Sequence, residues 1–243
     1  MALLALHAVS KSYGALKVTD VVSLSVSEGE TLGILGPNGA GKTTLFNLIS
    51  GDVRPDAGRI EFQGRDMTAL APHQRCRLGI GRSYQVPQPF GAMTVFENCV
   101  TAASFGAGLP EHEAYEVAVD VLARTGLKAQ ANQLAGGLTL LNRKRLELAR
   151  ALCTRPKLLL LDEIAGGLTE HEARQLVDEL KMLKAGGVTM VWIEHVVHAL
   201  LAIADRLVVI NFGAKLAEGK PRAVMADPEV QRVYMGMEPE AVA

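Results

Sequence analysis

Gly36-Pro37-Asn38-Gly39-Ala40-Gly41-Lys42-Thr43-Thr44 decides how the chain is read. The stretch fits G-x-x-x-x-G-K-[ST], a phosphate-binding pattern. The apolar run before it, Thr31 to Leu35, predicts a buried strand, and the run after it, Leu45 to Ser50, predicts a helix that starts near Lys42. Gly36, Gly39 and Gly41 have no Cβ, so the backbone can curl and bring its N–H groups close to phosphate oxygens. The helix start adds the positive end of its dipole. Pro37, Asn38, Ala40 and Thr44 complete the nucleotide-binding loop. Lys42 can reach the β- and γ-phosphates, and the Thr43 hydroxyl can ligate Mg²⁺.

Outward from this loop the chain alternates strand and helix. Toward the N-terminus, Leu3 to Val9 and Val18 to Val26 predict strands, with Tyr13-Gly14 in the turn between them. Tyr13 can pack the hairpin or stack on a nucleotide base. Toward the C-terminus come a strand at Arg59 to Phe62, a helix from Pro72 to Leu78, and a strand from Ile80 to Tyr84 that ends at Gln85. Two prolines keep Val86 to Phe90 out of a helix. Thr94 to Thr125 reads as helical with a break at Gly106 to Pro110, and Leu141 to Thr154 as a further helix. Lys157 to Glu163 and Val188 to Ile193 predict buried strands, the first ending in Asp162-Glu163 and the second running into Glu194-His195. A helix from Glu170 to Ala185 lies between them. A strand at Arg206 to Ile210, a turn at Asn211-Phe212-Gly213, a short strand at Lys215 to Ala217 and helices opened by Pro221 and Pro228 complete the chain.

Alternation of this kind predicts an α/β fold with a mainly parallel sheet. The β-rich first third predicts an antiparallel side sheet, and residues from about 90 to 155 a helical insertion. The 243 residues suffice for a sizeable core. With 25 Lys and Arg against 26 Asp and Glu, the formal net charge is −1, so no basic field points to a nucleic-acid partner. The three cysteines stand singly, which predicts a reducing compartment and no structural zinc. The apolar N-terminus lacks a basic flank and reads as a first strand, not a leader. No apolar run reaches the roughly 18 residues of a spanning helix. The chain is expected to be soluble, held at a membrane only by another protein.

The acids supply the chemistry that binding alone lacks. Leu158 to Leu161 followed by Asp162 is the apolar strand plus carboxylate that phosphate-loop enzymes set beside Mg²⁺, with Asp162 holding the ion through its water shell. Glu163 is placed to polarise the attacking water as general base. Gln85 can touch Mg²⁺ or that water, or simply leave a strand. His195 can donate to a γ-phosphate or cap the next helix.

In this order, Tyr13, the loop Gly36 to Thr43, Gln85, Asp162-Glu163 and His195 resemble the ATP-binding subunits of ABC transporters over the whole length. The resemblance implies a P-loop NTPase (RecA-like) core from about 1–89 and 156–243 with a β side sheet, and a helical subdomain at about 90–155. The family's signature, usually L-S-G-G-Q, falls at Leu138-Thr139-Leu140-Leu141-Asn142. Thr139 keeps a hydroxyl toward nucleotide, but Leu141 replaces a glycine and must swing aside or hold off the phosphate. Ile164 and Thr169 also depart from the usual pattern.

Phe46 to Gly51, Met93 to Asn98 and Pro228 to Gly236 are similar to the branched-chain amino acid importer ATPases. That likeness implies ATP and Mg²⁺ as ligands and a second cassette, read as a different chain with a second copy as the alternative, closing head to tail over two ATPs. It also implies transmembrane permease subunits that dock near Gln85 to Phe90, a periplasmic or extracellular solute-binding protein met indirectly, and a place on the cytoplasmic face of the cell membrane. A soluble ABC ATPase outside transport and a regulatory module with low turnover are the rival readings.

Overall fold

The computed structural model describes residues 2–235. The chain divides into two compact units, Met1–Ala69 with Val191–Ala243, and Leu70–Met190.

In the first unit, β1 (Ala2–Tyr13) and β2 (Leu16–Ser27) form a long hairpin, and β4 (Ala57–Phe62) and β5 (Arg65–Asp66) extend it to an antiparallel sheet ordered β2-β1-β4-β5. Alternation sets the register: Leu6 faces Leu24 and Leu4 faces Phe62, and all four are buried. The hairpin strands outrun their expected limits because they pass through bulges. Ala8 and Val21 both take φ 49°. Their N–H groups are taken by hydroxyls, Ala8 by Ser23 Oγ at 2.8 Å and Val21 by Ser10 Oγ at 2.9 Å, so the irregular residues cost no hydrogen bond. Strand β3 (Thr31–Leu35) is buried throughout and pairs in parallel with β9 (Arg206–Asn211), which pairs antiparallel with β10 (Ala214–Gly219). The helix α1 (Lys42–Ser50) follows β3 and ends at Gly51, a left-handed cap at φ 90°. The last helices, α7 (Val197–Leu201), α8 (Pro221–Met225) and α9 (Pro228–Val230), are short.

In the second unit, α2 (Pro72–Leu78) leads into β6 (Ile80–Ser83), which pairs in parallel with β7 (Leu158–Asp162). The helical region runs α3 (Val95–Thr101), a π turn at Ala102–Gly106, α4 (Glu111–Arg124) and α5 (Leu140–Cys153), which pack on one another. Helix starts are capped: Thr94 and Glu97 form a reciprocal cap on α3, and Thr169 and Glu172 one on α6 (Glu170–Ala185). Thr169, one of the departures from the family pattern, therefore has a local structural role. Ile164 is buried. The chain returns to the first unit within β8 (Thr189–Ile193).

The α/β class, the antiparallel side sheet and the helical part match the expectation from sequence. Three limits shift. Tyr84 lies just past β6, and β5 is new. Glu163 leaves β7 with φ 45°. Among the described residues no helix is long and apolar enough to cross a membrane.

Candidate active site

The expected residues fall into two groups. Tyr13, the loop 36–44 and His195 belong to the first unit; Gln85, Thr139, Asp162 and Glu163 belong to the second.

The loop is shaped by backbone demands only glycine meets. Gly36 has φ 155°, and a Cβ there would sit 2.1 Å from the Ile210 carbonyl oxygen; at Gly41, φ 98°, it would sit 2.1 Å from the Val18 oxygen. Gly41 is the N-cap of α1 and carries no side chain to occupy the first-turn N–H groups, and no acid stands in that turn. This leaves the positive end of α1 without a neutralising charge of its own. Lys42 is 5% exposed, and its Nζ donates to the carbonyl oxygens of Gly36 at 2.7 Å and Pro37 at 2.9 Å. Thr43, Asn38 and Gly39 are exposed, Pro37 and Thr44 half-buried, and Ala40 buried. Tyr13, at the end of β1, is 51% exposed with Lys11 Nζ 5.6 Å from its ring centre. Hairpin packing therefore covers the residue only in part.

His195 directly follows the buried Glu194, whose Oε2 accepts the His195 N–H at 3.0 Å. Its carbonyl oxygen accepts from Tyr234 Oη at 3.0 Å. Burial and the charge of Glu194 push the Tyr234 phenol above its ordinary value, so it remains a donor.

In the second unit the structure brings Gln85 and Glu163 together, with Gln85 Nε2 2.5 Å from Glu163 Oε2. The left-handed backbone at Glu163 turns that residue out of β7. Asp162, the last residue of β7, is 3% exposed and accepts from Arg82 Nη2 at 2.9 Å. Thr139 is the N-cap of α5 and accepts the Asn142 N–H at 3.4 Å. Leu141 is 8% exposed and packs into the unit, whereas Leu140 is 45% exposed. Of the two outcomes left open for Leu141, this burial favours a side chain that swings aside.

Sequence reasoning missed a charged stripe on α5. Lys144 is 4% exposed and its Nζ donates to the carbonyl oxygens of Gln85 at 2.6 Å and Glu163 at 3.3 Å. Three residues on, buried Glu147 accepts from the backbone N–H groups of Tyr84 and Gln88; burial raises its carboxyl while Arg150 opposes the rise. Three further on, Arg150 Nη1 donates to Gln88 O at 3.0 Å, and Arg150 Cζ lies 5.2 Å over the Phe90 ring. Asn98 holds Phe90 from the other end, accepting its N–H at 2.9 Å and donating to its carbonyl at 3.1 Å. The signal was a row of ionisable residues at helical spacing on a buried face, where charge persists only with partners.

Comparison with known proteins identifies the family. Residues 19–166 match the ABC transporter family model, and residues 214–236 match the model of the branched-chain amino acid ATP-binding cassette transporter. The chain is 37% identical to the high-affinity branched-chain amino acid transport ATP-binding protein BraF of Pseudomonas aeruginosa, over 92% of this chain and 94% of the relative. It is 34% identical to the lipopolysaccharide export system ATP-binding protein LptB of Haemophilus influenzae, over 97% and 98%. A nucleotide-free ATP-binding cassette from an ABC transporter superposes with a TM-score of 0.87 at 32% identity, over 98% of this chain and 100% of that one. The chain belongs to the ABC transporter family of ATP-binding, ATP-hydrolysing subunits.

Proposed function

We propose that this chain powers an importer of branched-chain amino acids or related small polar solutes by ATP-driven closure against a second cassette. The single observation that carries the substrate class is the match of residues 214–236 to the branched-chain model. Overall identity does not choose between import and export, because the lipopolysaccharide-export relative is similar to the same degree.

In this reading the exposed ring of Tyr13 stacks on the base, and the loop 36–44 with the start of α1 receives the phosphates. Lys42 exchanges carbonyl acceptors for β- and γ-phosphate oxygens. Glu163 accepts a proton from the attacking water, and the Gln85 amide orients its carboxylate. His195 donates to the γ-phosphate, its backbone held by Tyr234. Thr139 and the start of α5 serve the nucleotide of the second cassette.

The residues fit a Mg²⁺ ion. Thr43, Asp162 and Gln85 Oε1 are hard oxygen donors, and the two glycines at which a Cβ would collide with backbone shape a cradle for phosphate. Among the described residues no cluster of three or more His, Cys, Asp or Glu forms a metal cage. Mg²⁺ is commonly held by one or two carboxylates together with substrate phosphates. When bound, such an ion neutralises charge that develops on the phosphates.

Residues 90–155 act as the helical subdomain and 1–89 with 156–243 as the core. Pro87 to Phe90 form the permease contact, supported by the exposure of Phe90 and the grip of Arg150 and Asn98 on this segment. Through that contact the chain sits on the cytoplasmic face of the membrane and meets the solute-binding protein only indirectly. The test is reconstitution with candidate permease subunits and solute-binding protein. ATP turnover that rises with a branched-chain amino acid, and not with lipopolysaccharide, is expected; the reverse overturns the substrate class.

A further inference from the structure

Beside the acid read as the metal-side carboxylate stands a charge with no place in the reading so far. Arg82 lies on β6, opposite Leu160 of the parallel strand β7. Leu160 and Asp162 share one face of that strand, two residues apart. The guanidinium therefore reaches along the strand end, and Nη2 comes to 2.9 Å from Asp162 Oδ2. The two side chains are 7% and 4% exposed. The Tyr84 ring backs the guanidinium, 4.7 Å from its centre to Arg82 Cζ, which fixes a planar cation rather than a mobile one.

A buried carboxylate needs a partner, and Arg82 supplies one. Stability alone does not account for the choice, because an apolar pair of similar volume commonly serves a fold as well as a buried ion pair. What an apolar pair cannot do is keep an ionised acid at the end of β7. We infer that Arg82 is a positioning residue that holds the Asp162 carboxylate ready and, as a fixed positive charge beside it, weakens this chain's hold on Mg²⁺. The inference rests on the reading of Asp162 as the metal-side acid. Its consequence is a nucleotide site whose Mg²⁺ demand is set by a residue outside the phosphate loop.

The experiment titrates Mg²⁺ into the full chain with a fluorescent ATP analogue and reads binding, with a parallel nucleotide titration in chelator. Arg82→Gln keeps an N–H donor toward Asp162 and drops the charge. Its Mg²⁺ midpoint is expected to fall roughly tenfold, the size of effect an adjacent charge has on a carboxylate. Affinity in chelator stays within about twofold, because the phosphate contacts are untouched. Arg82→Lys keeps the charge but withdraws it from Oδ2, so its midpoint lies between the other two. It remains informative should Arg82→Gln fold poorly. An unchanged or higher midpoint in whichever variant folds overturns the inference. Asp162→Asn separates the two levels. If it titrates like the unaltered chain, the metal-side reading of Asp162 falls and the inference with it; if it loses the Mg²⁺ step while the Arg82 variants stay unchanged, only the inference falls.

Discussion

The phosphate loop and the Gln85 segment are both irregular stretches that follow a strand of a parallel pair, yet they are held in opposite ways. The loop 36–44 is held by its own backbone: glycines at φ 155° and 98° make the turn, and Lys42 bonds carbonyls six and five residues before it. The Gln85 segment is held by distant side chains, Lys144 at 59 positions and Glu163 at 78, with Arg150 reaching Gln88 from 62 positions away. The first device leaves no room for a Cβ at Gly36 or Gly41. The second can be retuned one side chain at a time, and it ties the Gln85 backbone to α5.

Four substitutions would break or sharpen this contrast. Gly41→Ala has the largest expected effect. The new Cβ would meet the Val18 backbone oxygen at 2.1 Å in a left-handed conformation. Strain of about 1–3 kcal/mol plus the clash should cost nucleotide affinity on the order of 10³-fold by equilibrium titration. Tight binding by this variant would remove the backbone account of the loop.

Leu141→Gly comes next. Because Leu141 is buried, the change should lower unfolding free energy by about 3 kcal/mol through cavity and glycine terms. It should not speed a neighbouring ATP site. Faster turnover with unchanged stability would restore the steric role expected from sequence. Lys144→Met leaves the Gln85 and Glu163 carbonyls without this donor. A loss of about 1–3 kcal/mol in ordering them should lower turnover roughly tenfold while nucleotide affinity holds. Equal losses in both would mean the clamp is merely structural. Tyr234→Phe removes one hydrogen bond to the His195 carbonyl. Worth about 1 kcal/mol, it should slow turnover only a few-fold, and a loss matching His195→Ala would show that the tail does more than hold a backbone.

The same contrast explains what the sequence could tell. Helices α2 and α6 begin and end where their proline, glycine and capping residues place them, and β3 is bounded by the loop it feeds. The site was legible where its cause is local, as in Gly36 to Thr43 or in the acids that end a run of leucines. Arg82 was not, since its partner lies 80 positions on, nor was Tyr234, 39 positions from the carbonyl it meets. Periodicity shows that such residues are buried but not what they face. Strand β5, two residues long, is below the length at which alternation is visible. Leu141 was left open for a related reason: a motif compares residue types and cannot say that Leu141 turns inward while Leu140 stays at the surface.

The central claim is that Glu163, turned out of β7 at φ 45° and held by Gln85, activates water for ATP hydrolysis. The most direct measurement is ATP binding and ATP turnover in parallel for Glu163→Gln in the assembled complex. Binding should be retained within about twofold and turnover should fall roughly 10²–10⁴-fold. Turnover close to that of the unaltered complex would contradict the account.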